Sequence, residues 1–335
     1  MSQPNSGARR TISKMSAISS PTARPAPRVS VIVPCFNAED YVGQALDSAL
    51  GQTHGNIEII VVDDGSTDST PEVLAGYADR VRVLRQQNSG SAAARNRGID
   101  AATGELIAFL DADDFWFPDK LQMQVSHLMS CADCGVVYCG WLTLSAGSDG
   151  KFPRPVSPSP YVGHDRIEPD RSGWLYHLLL QDSVVHTSTA VFRREVIETV
   201  GRFDESLRRG QDLDYWLRTS RVTQIHKLSA VLSVYRLHAE SITRQPNPVN
   251  YRARVIAKAL ATWGLADPTG RMLDARVVRR VLKQSWRGHG YQHLKRGSAD
   301  QALRSFSEAL KLGALDPNLW WLTSRAIARK MAGQS

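Results

Sequence analysis

Short apolar runs alternate with helix-length segments from residue 29 to residue 110, and this alternation restricts the fold more than any other feature of the chain. Val29–Pro34, Ile57–Asp63, Val81–Arg85 and Glu105–Leu110 read as strands. Asp40–Gln52, Ser69–Ala78 and Ser91–Ala101 read as the helices between them. Strands that alternate with helices predict a parallel sheet covered on both faces, an α/β class. Lys120–Ser130 then reads as a helix and Val136–Leu142 as a strand. Residues 145–172 are rich in Pro, Gly and Ser and predict a long loop, suited to a mobile lid. A helix near Trp174–Gln181, a strand near Ser188–Arg193, a helix near Asp212–Thr219 and a strand over Ala230–Arg236 complete the expected body. Beyond Pro248 only helical periodicity is left, at 250–263, 271–293, 299–312 and 318–332.

The apolar run Leu106–Leu110 is followed at once by Asp111-Ala112-Asp113-Asp114. Open α/β sheets bind ligands at the carboxyl ends of their strands. Asp111 and Asp113, two residues apart, project to one side of extended chain. A hard divalent cation shared with substrate phosphates takes one or two such carboxylates and keeps open positions. A bare D-x-D is also what a solvated acidic run looks like, so its surroundings must decide.

A chain of 335 residues with 42% hydrophobic content accommodates one large or two modest domains. No apolar run approaches the ~18–20 residues of a membrane helix, and the N-terminus lacks the apolar centre of a secretory signal. A cytoplasmic chain, soluble or peripheral at the inner face of a membrane, is expected. The net charge of +8 is unevenly spread: residues 1–28 hold five basic and no acidic side chains, and 251–335 hold 16 basic against five acidic. The stretch between them is net −8. An acidic body with basic ends does not suit nucleic acid, which draws its basic stripe onto the folded face. Basic C-terminal helices suit an anionic membrane surface, or are simply solvated. Residues 1–27 have the composition of a disordered tail; a transit peptide is similar but would add an amphipathic helix, and Met15 is an alternative start. Cys35, Cys131, Cys134 and Cys139 are too sparse for a disulfide framework. Cys131-x-x-Cys134 with Cys139 lacks a fourth zinc ligand at the usual spacing, and buried free thiols are the expectation. Leu294–Pro317 resembles one tetratricopeptide-like hairpin, expected as a cap on the body because one unit builds no solenoid.

Five segments stand in a familiar order. They are Val29-Ser-Val-Ile-Val-Pro-Cys-Phe-Asn37, Ile59-Ile-Val-Val-Asp-Asp-Gly-Ser66, Asn88-Ser-Gly-Ser-Ala-Ala-Ala-Arg-Asn-Arg-Gly98, Phe109-Leu-Asp-Ala-Asp-Asp114, and Gly201-Arg-Phe-Asp-Glu205 with Gly210-Gln-Asp-Leu-Asp-Tyr-Trp216. Together they resemble the family 2 glycosyltransferases, over residues 29–240. The resemblance implies a GT-A fold, Rossmann-like and built for a nucleotide-diphosphate sugar, over 28–245, with a helical extension over 246–335. It implies an inverting, metal-dependent transferase passing a sugar from a nucleotide donor, a UDP-sugar first, to a hydroxyl on a saccharide or lipid-linked saccharide. Cell-surface polysaccharide or lipopolysaccharide assembly is the setting that family habit suggests.

Glycosyl transfer needs a pocket for the base, a cation on the diphosphate and a base for the acceptor hydroxyl, and the segments supply residues for each. Pro34 and Phe36 end the first strand, where Phe36 offers a flat face to a nucleobase or belongs to the core. Asp63 and Asp64 end the second; Gly65-Ser66 permits close backbone approach, though Asp-Asp-Gly-Ser is also plain turn chemistry. The resemblance gives Asp64 to the base, Asp111 to the ribose and metal shell, and Asp113 to direct coordination of Mn²⁺ or Mg²⁺. Arg95 would read the base or pair with Asp64 or a phosphate, or lie on the surface. Asp114 hydrogen-bonds locally or shapes the acceptor side. Asp212, in the place of the family's Glu-Asp pair, is the expected general base; its other reading is a helix cap. Gln211 stands where the family commonly has Glu. Asp214 is the weaker base, and Trp216 belongs to the pocket wall or core. His238 falls where relatives place a histidine near diphosphate or metal, and His186 lines the acceptor pocket; both are also ordinary structural positions.

Rival readings meet specific obstacles. A nucleotidyltransferase would carry a Gly-rich basic loop after the first strand, where this chain has Pro34-Cys-Phe-Asn-Ala-Glu39. No G-x-G-x-x-G opens the first helix, against a dehydrogenase. A glycosidase uses two carboxylates without a nucleotide pocket. A lapsed transferase acting as a scaffold through its helical tail is the non-enzyme alternative; Asp64, Asp113 and Asp212 argue against it, Gln211 for it.

Overall fold

The computed structural model describes residues 25–147, 152–153, 166–238 and 247–333. Most of the tail expected over 1–27, Met15, the middle of the expected lid and Ala239–Ser241 lie outside the described residues.

The first half follows the alternation. Strands β1 (Val29–Cys35), β2 (Ile57–Asp63), β3 (Arg82–Arg85) and β4 (Leu106–Phe109) enclose helices α1 (Val42–Leu50), α2 (Thr70–Ala75) and α3 (Ser91–Ala101). β2 and β4 flank β1, and β3 lies outside β2, all parallel. Side-chain alternation splits β1 between two cores. Val29, Val31 and Val33 pack with α1 on one face, while Ile32 joins the α3 side with Ile60 and Val62. A strand apolar on both faces needs both covered, which accounts for the continuous runs in the sequence. Helix α3 lies so close to β1 that a Cβ on Gly98 would sit 2.3 Å from Ile32 Cγ2. That close seating carries Arg95 to the carboxyl edge of the sheet.

The second half departs from an all-parallel sheet. After β5 (Phe115–Trp116) and α4 (Lys120–Ser130) come β6 (Cys134–Ser145), α5 (Tyr176–Leu179), β7 (Ala190–Arg193), α6 (Arg194–Val200), α7 (Gln211–Thr219) and β8 (Gln224–Leu237). The sheet order is β3-β2-β1-β4-β7-β6-β8-β5. β7 is antiparallel to both neighbours, β4 and β6. Hydrophobic period marks a strand but carries no direction, so this reversal is invisible in the sequence. Two reversals cancel: β6 and β8 run with β4 again. The carboxyl ends of β1, β2, β4, β6 and β8 therefore share one edge, and the site lies along it. The near end of the expected lid is tied to the sheet, with Ile167 bridging Leu228 and Gly173 bridging Ile225.

The chain ends in α8 (Tyr251–Trp263), α9 (Ala275–Lys295), α10 (Ala299–Lys311) and α11 (Pro317–Met331). Asn250 caps α8, accepting from Ala253 N. Val255, Ile256 and Ala259 of α8 and Val278 of α9 join the α7-side core. Lys258 reinforces that seam by reaching Asp214 at 2.8 Å and Asp204 at 3.0 Å. The hairpin expected as a cap has a core of its own, with Leu294, Ala302, Phe306, Ala309, Leu319, Leu322 and Ala326. Phe306 packs where a Cβ on Gly290 would be, so α9 and α10 touch nearly backbone to ring.

Candidate functional site

Strand pairing continues one residue past β4, Leu110 N donating to Ile32 O, and the chain then turns, closed by Asp114 N to Asp111 O at 2.9 Å. The turn sorts its carboxylates: Asp111 and Asp113 keep 26% and 33% of their side chains exposed, whereas Asp114 is buried at 1%. Asp114 accepts from Ser188 Oγ at 2.5 Å and from Arg236 N at 3.3 Å. Burial, with the charges of Asp113 and Asp111 added, holds its carboxyl well above the usual carboxylate range. Asp114 is thus a buried bolt between this turn, the segment before β7, and β8.

Asp113 Oδ2 lies 3.0 Å from His238 Nε2, just past the end of β8. Asp111 turns the other way, its Oδ1 2.6 Å from Nη2 of Arg95. Arg95 is buried, and its Nε and Nη1 have no hydrogen-bond partner among the described residues. Across the turn Arg236 is buried too, its guanidinium 5.2 Å from the Tyr41 ring and 5.1 Å from Phe115, with Nε and Nη2 lacking hydrogen-bond partners among the described residues. Two buried guanidinium groups with orphaned donors therefore flank the acidic turn.

Beyond β2, Asp64 spends its carboxylate on the loop before α3, accepting from Gln86 Nε2 (2.7 Å), Ser89 N (2.9 Å) and Gly90 N (2.7 Å). Gly65 sits at φ +80 with its missing Cβ 2.9 Å from Asn88 N, so the turn needs glycine. Pro34 is buried within β1, and Phe36 just beyond is 47% exposed, which removes the reading of Phe36 as core.

Asp212 stands exposed in the first turn of α7. The helix is capped by the left-handed Gly210 at φ 72 without any side-chain cap bond, so the capping reading of Asp212 is set aside. Its Oδ1 accepts only from the adjacent Leu213 N among the hydrogen bonds observed, at 2.8 Å. Gln211 turns instead to α3, donating to Ser91 Oγ at 2.6 Å. Asp214 is buried against Arg218 and Lys258 and has a structural part. Trp216 is 2% exposed and stacked on Phe192 at 5.1 Å, which puts it in the core behind the site.

His186 joins the two halves. Its ring lies 4.4 Å from Tyr235 and 5.6 Å from Trp141. Burial pulls its pKa below the ordinary histidine value, opposed by the carboxylates of Asp111, Asp212 and Asp113. One imidazole thus feels both the acidic turn and the expected base.

The donor set suits a hard cation. Asp113 and His238 bring one carboxylate and one imidazole together, two groups that a divalent cation shared with substrate phosphates can take as ligands. Asp111 is drawn off to Arg95, and among the described residues it does not close with them into a three-ligand group. Arg236 and Ser188 are not among the residues expected at the site, although both lie in segments that hold expected ones, beside His238 and His186. An arginine two residues before His238 was the available signal. Free thiols are found, as expected: Cys131, Cys134 and Cys139 do not converge, since the thiols of Cys134 and Cys139 turn to Val136 O and Thr189 O. All four cysteines are free.

A mixed sheet with an acidic turn at its carboxyl edge, followed by helices, is the architecture of the GT-A glycosyltransferases. The crystal structure of S. aureus TarS 1-349 in complex with UDP-GlcNAc superposes with a TM-score of 0.59 at 18% identity, covering 90% of this chain and 89% of that one. The mannosyltransferase PcManGT of Pyrobaculum calidifontis, in complex with GDP-Man and Mn²⁺, gives 0.50 at 20% identity, over 91% and 86%. Residues 30–201, just over half of the chain, match the model for glycosyl transferase family 2. The chain belongs to that family. It is 34% identical over 218 residues to an uncharacterized glycosyltransferase of Rickettsia prowazekii, covering 65% of this chain and 66% of the relative. It is 32% identical over 222 residues to the putative teichuronic acid biosynthesis glycosyltransferase TuaG of Bacillus subtilis, covering 65% and 82%.

Proposed function

We propose that the chain transfers a sugar, with inversion, from a UDP-sugar to a hydroxyl of a saccharide or lipid-linked saccharide during cell-surface polysaccharide assembly. The observation that carries this reading is the pair of buried guanidinium groups, Arg95 and Arg236, with orphaned donors on either side of the Asp111–Asp114 turn. Each orphaned buried donor costs about 1–3 kcal/mol unless something supplies an acceptor. A diphosphate supplies several, with the charge to match. Asp113 and His238 would hold Mn²⁺ or Mg²⁺, which when bound neutralises charge on the departing diphosphate. Phe36 offers its exposed face to the base, and Asp64 holds the loop beside it. Asp212 takes the proton of the acceptor hydroxyl while that oxygen bonds to the anomeric carbon and the bond to the diphosphate breaks on the opposite side. The TarS complex with UDP-GlcNAc and the teichuronic acid relative support a UDP-sugar and a polysaccharide setting; the PcManGT complex supports Mn²⁺ and makes GDP the competing nucleotide. Thermal shifts with UDP, GDP, dTDP and CDP, each with and without Mn²⁺, test the donor pocket. A rise with UDP that depends on Mn²⁺ is expected, because a ligand stabilises the folded state it binds; no rise with any nucleotide would refute it.

A membrane surface is the proposed platform. Among the described residues no helix is long and apolar enough to cross a membrane. Helix α11 nevertheless leaves Trp320, Trp321, Ile327 and Met331 exposed at 52%, 58%, 46% and 82%, beside the basic Arg325. Exposed tryptophans with cationic neighbours suit the headgroup region. Replacing both Trp320 and Trp321 with Ser should weaken co-sedimentation with anionic vesicles at least about tenfold. Unchanged sedimentation would discard this platform and leave the transferase reading intact.

A further inference from the structure

We infer that His127, Cys131 and His226 form a second metal site, for a zinc-like divalent transition metal, at the edge of the sheet opposite the chemistry. His127 lies in the last turn of α4, and Cys131 follows four residues later as its C-cap, so both lie on one side of the helix end. His226 comes from the start of β8, where Gln224 pairs with Cys134 of β6. His127 Nε2 is 3.0 Å and Cys131 Sγ 4.0 Å from His226 Nδ1, and all three donor atoms lie within 4.8 Å of one another. Tetrahedral zinc, with bonds of about 2.0–2.1 Å to nitrogen and about 2.3 Å to sulfur, puts neighbouring donors about 3.3–3.6 Å apart. The observed spacings bracket that range.

The surroundings prepare these three groups as ligands. Gln224 Oε1 stands 3.3 Å from His226 Nε2, which assigns the proton to Nε2 and points the Nδ1 lone pair into the cluster. Burial lowers the pKa of both histidines, favouring the neutral form a metal requires. Arg193 donates to the carbonyls of Leu128, Cys131 and Cys134 and so holds the turn between α4 and β6 in place. Cys131 is also the one cysteine of the four that is not fully buried. The exposed Asp133 acts electrostatically on His226 but is not part of the donor group, and water would complete the coordination. Imidazole and thiolate together select zinc or another borderline metal over the magnesium and manganese of carboxylate sites. Twelve residues along the chain separate His226 near the start of β8 from His238 just past its end, roughly 40 Å of extended chain. A metal here would pin the end of α4 to the start of β8 and take no part in sugar transfer.

Without metal, the same atoms would make a hydrogen bond between two imidazoles, and a cobalt titration separates the two cases. The full chain, stripped with chelator, is titrated with Co²⁺ and followed in the near ultraviolet. A thiolate-to-cobalt charge-transfer band saturating at one equivalent and bleached by Zn²⁺ is expected. Asp113 and His238 offer no sulfur, so Asp113→Ala should keep the band whatever becomes of the transferase reading. Cys131→Ser should abolish it, and His226→Gln should weaken cobalt binding at least tenfold. Absence of the band in the wild-type chain, or its survival in Cys131→Ser, would overturn the site.

Discussion

Asp212→Asn is expected to lower turnover by about 10²–10⁴-fold while leaving donor binding unchanged. The substitution keeps shape and removes only the ability to take a proton. Asp212 is exposed, lies in the first turn of α7 and is not its cap, so the amide should be accommodated without rearrangement. The oxygen that accepts from Leu213 N survives in the amide. If the carboxylate served only the helix, its loss would cost about 0.3–1 kcal/mol through the helix dipole and leave catalysis alone. Nucleotide binding and turnover measured on the same preparation separate these cases. Near-normal turnover would remove Asp212 as the base.

The second large effect is expected at Asp113. Asp113→Ala takes away the half-buried carboxylate that pairs with His238 and should abolish the Mn²⁺-dependent part of the nucleotide thermal shift. Turnover should fall by at least about 100-fold, since residues that merely support a metal ligand already reach that size. Asp114, one position on, is a poor substitute for this test. It is buried between Ser188 and Arg236, so its removal would strand their donors and confuse folding with catalysis. A shift in Asp113→Ala equal to that of the wild type would place the cation elsewhere.

How much of this was legible in the sequence depends on how far apart the partners lie along the chain. β2 and α3 occupy the same residues as expected, because a continuous apolar run before Asp63 and a small-residue helix after Gly90 are local signals. The carboxylates at strand ends were legible for the same reason. The direction of β7 was not, because pairing partners rather than period determine it. β5 is two residues long and leaves no period to read. The capping reading of Asp212 failed on Gly210, whose left-handed conformation belongs to the loop before α7. Arg236 needed the fold, since an arginine inside a strand becomes informative only when aromatic rings enclose it and its donors are found orphaned. His226 is separated from Cys131 by nearly the whole second half of the sheet, and cysteine spacing alone pointed to Cys134 instead.

The proposed site transfers sugar from a nucleotide donor with Asp212 as base. Release of UDP from a panel of UDP-sugars, in the presence of Mn²⁺ and a membrane-derived saccharide acceptor, tests it most directly when wild type and Asp212→Asn are run side by side. Acceptor-dependent release by the wild-type chain from one UDP-sugar, reduced to the background in the variant, is the predicted result. Equal release by both proteins, or none by the wild type from any donor in the panel, would contradict it.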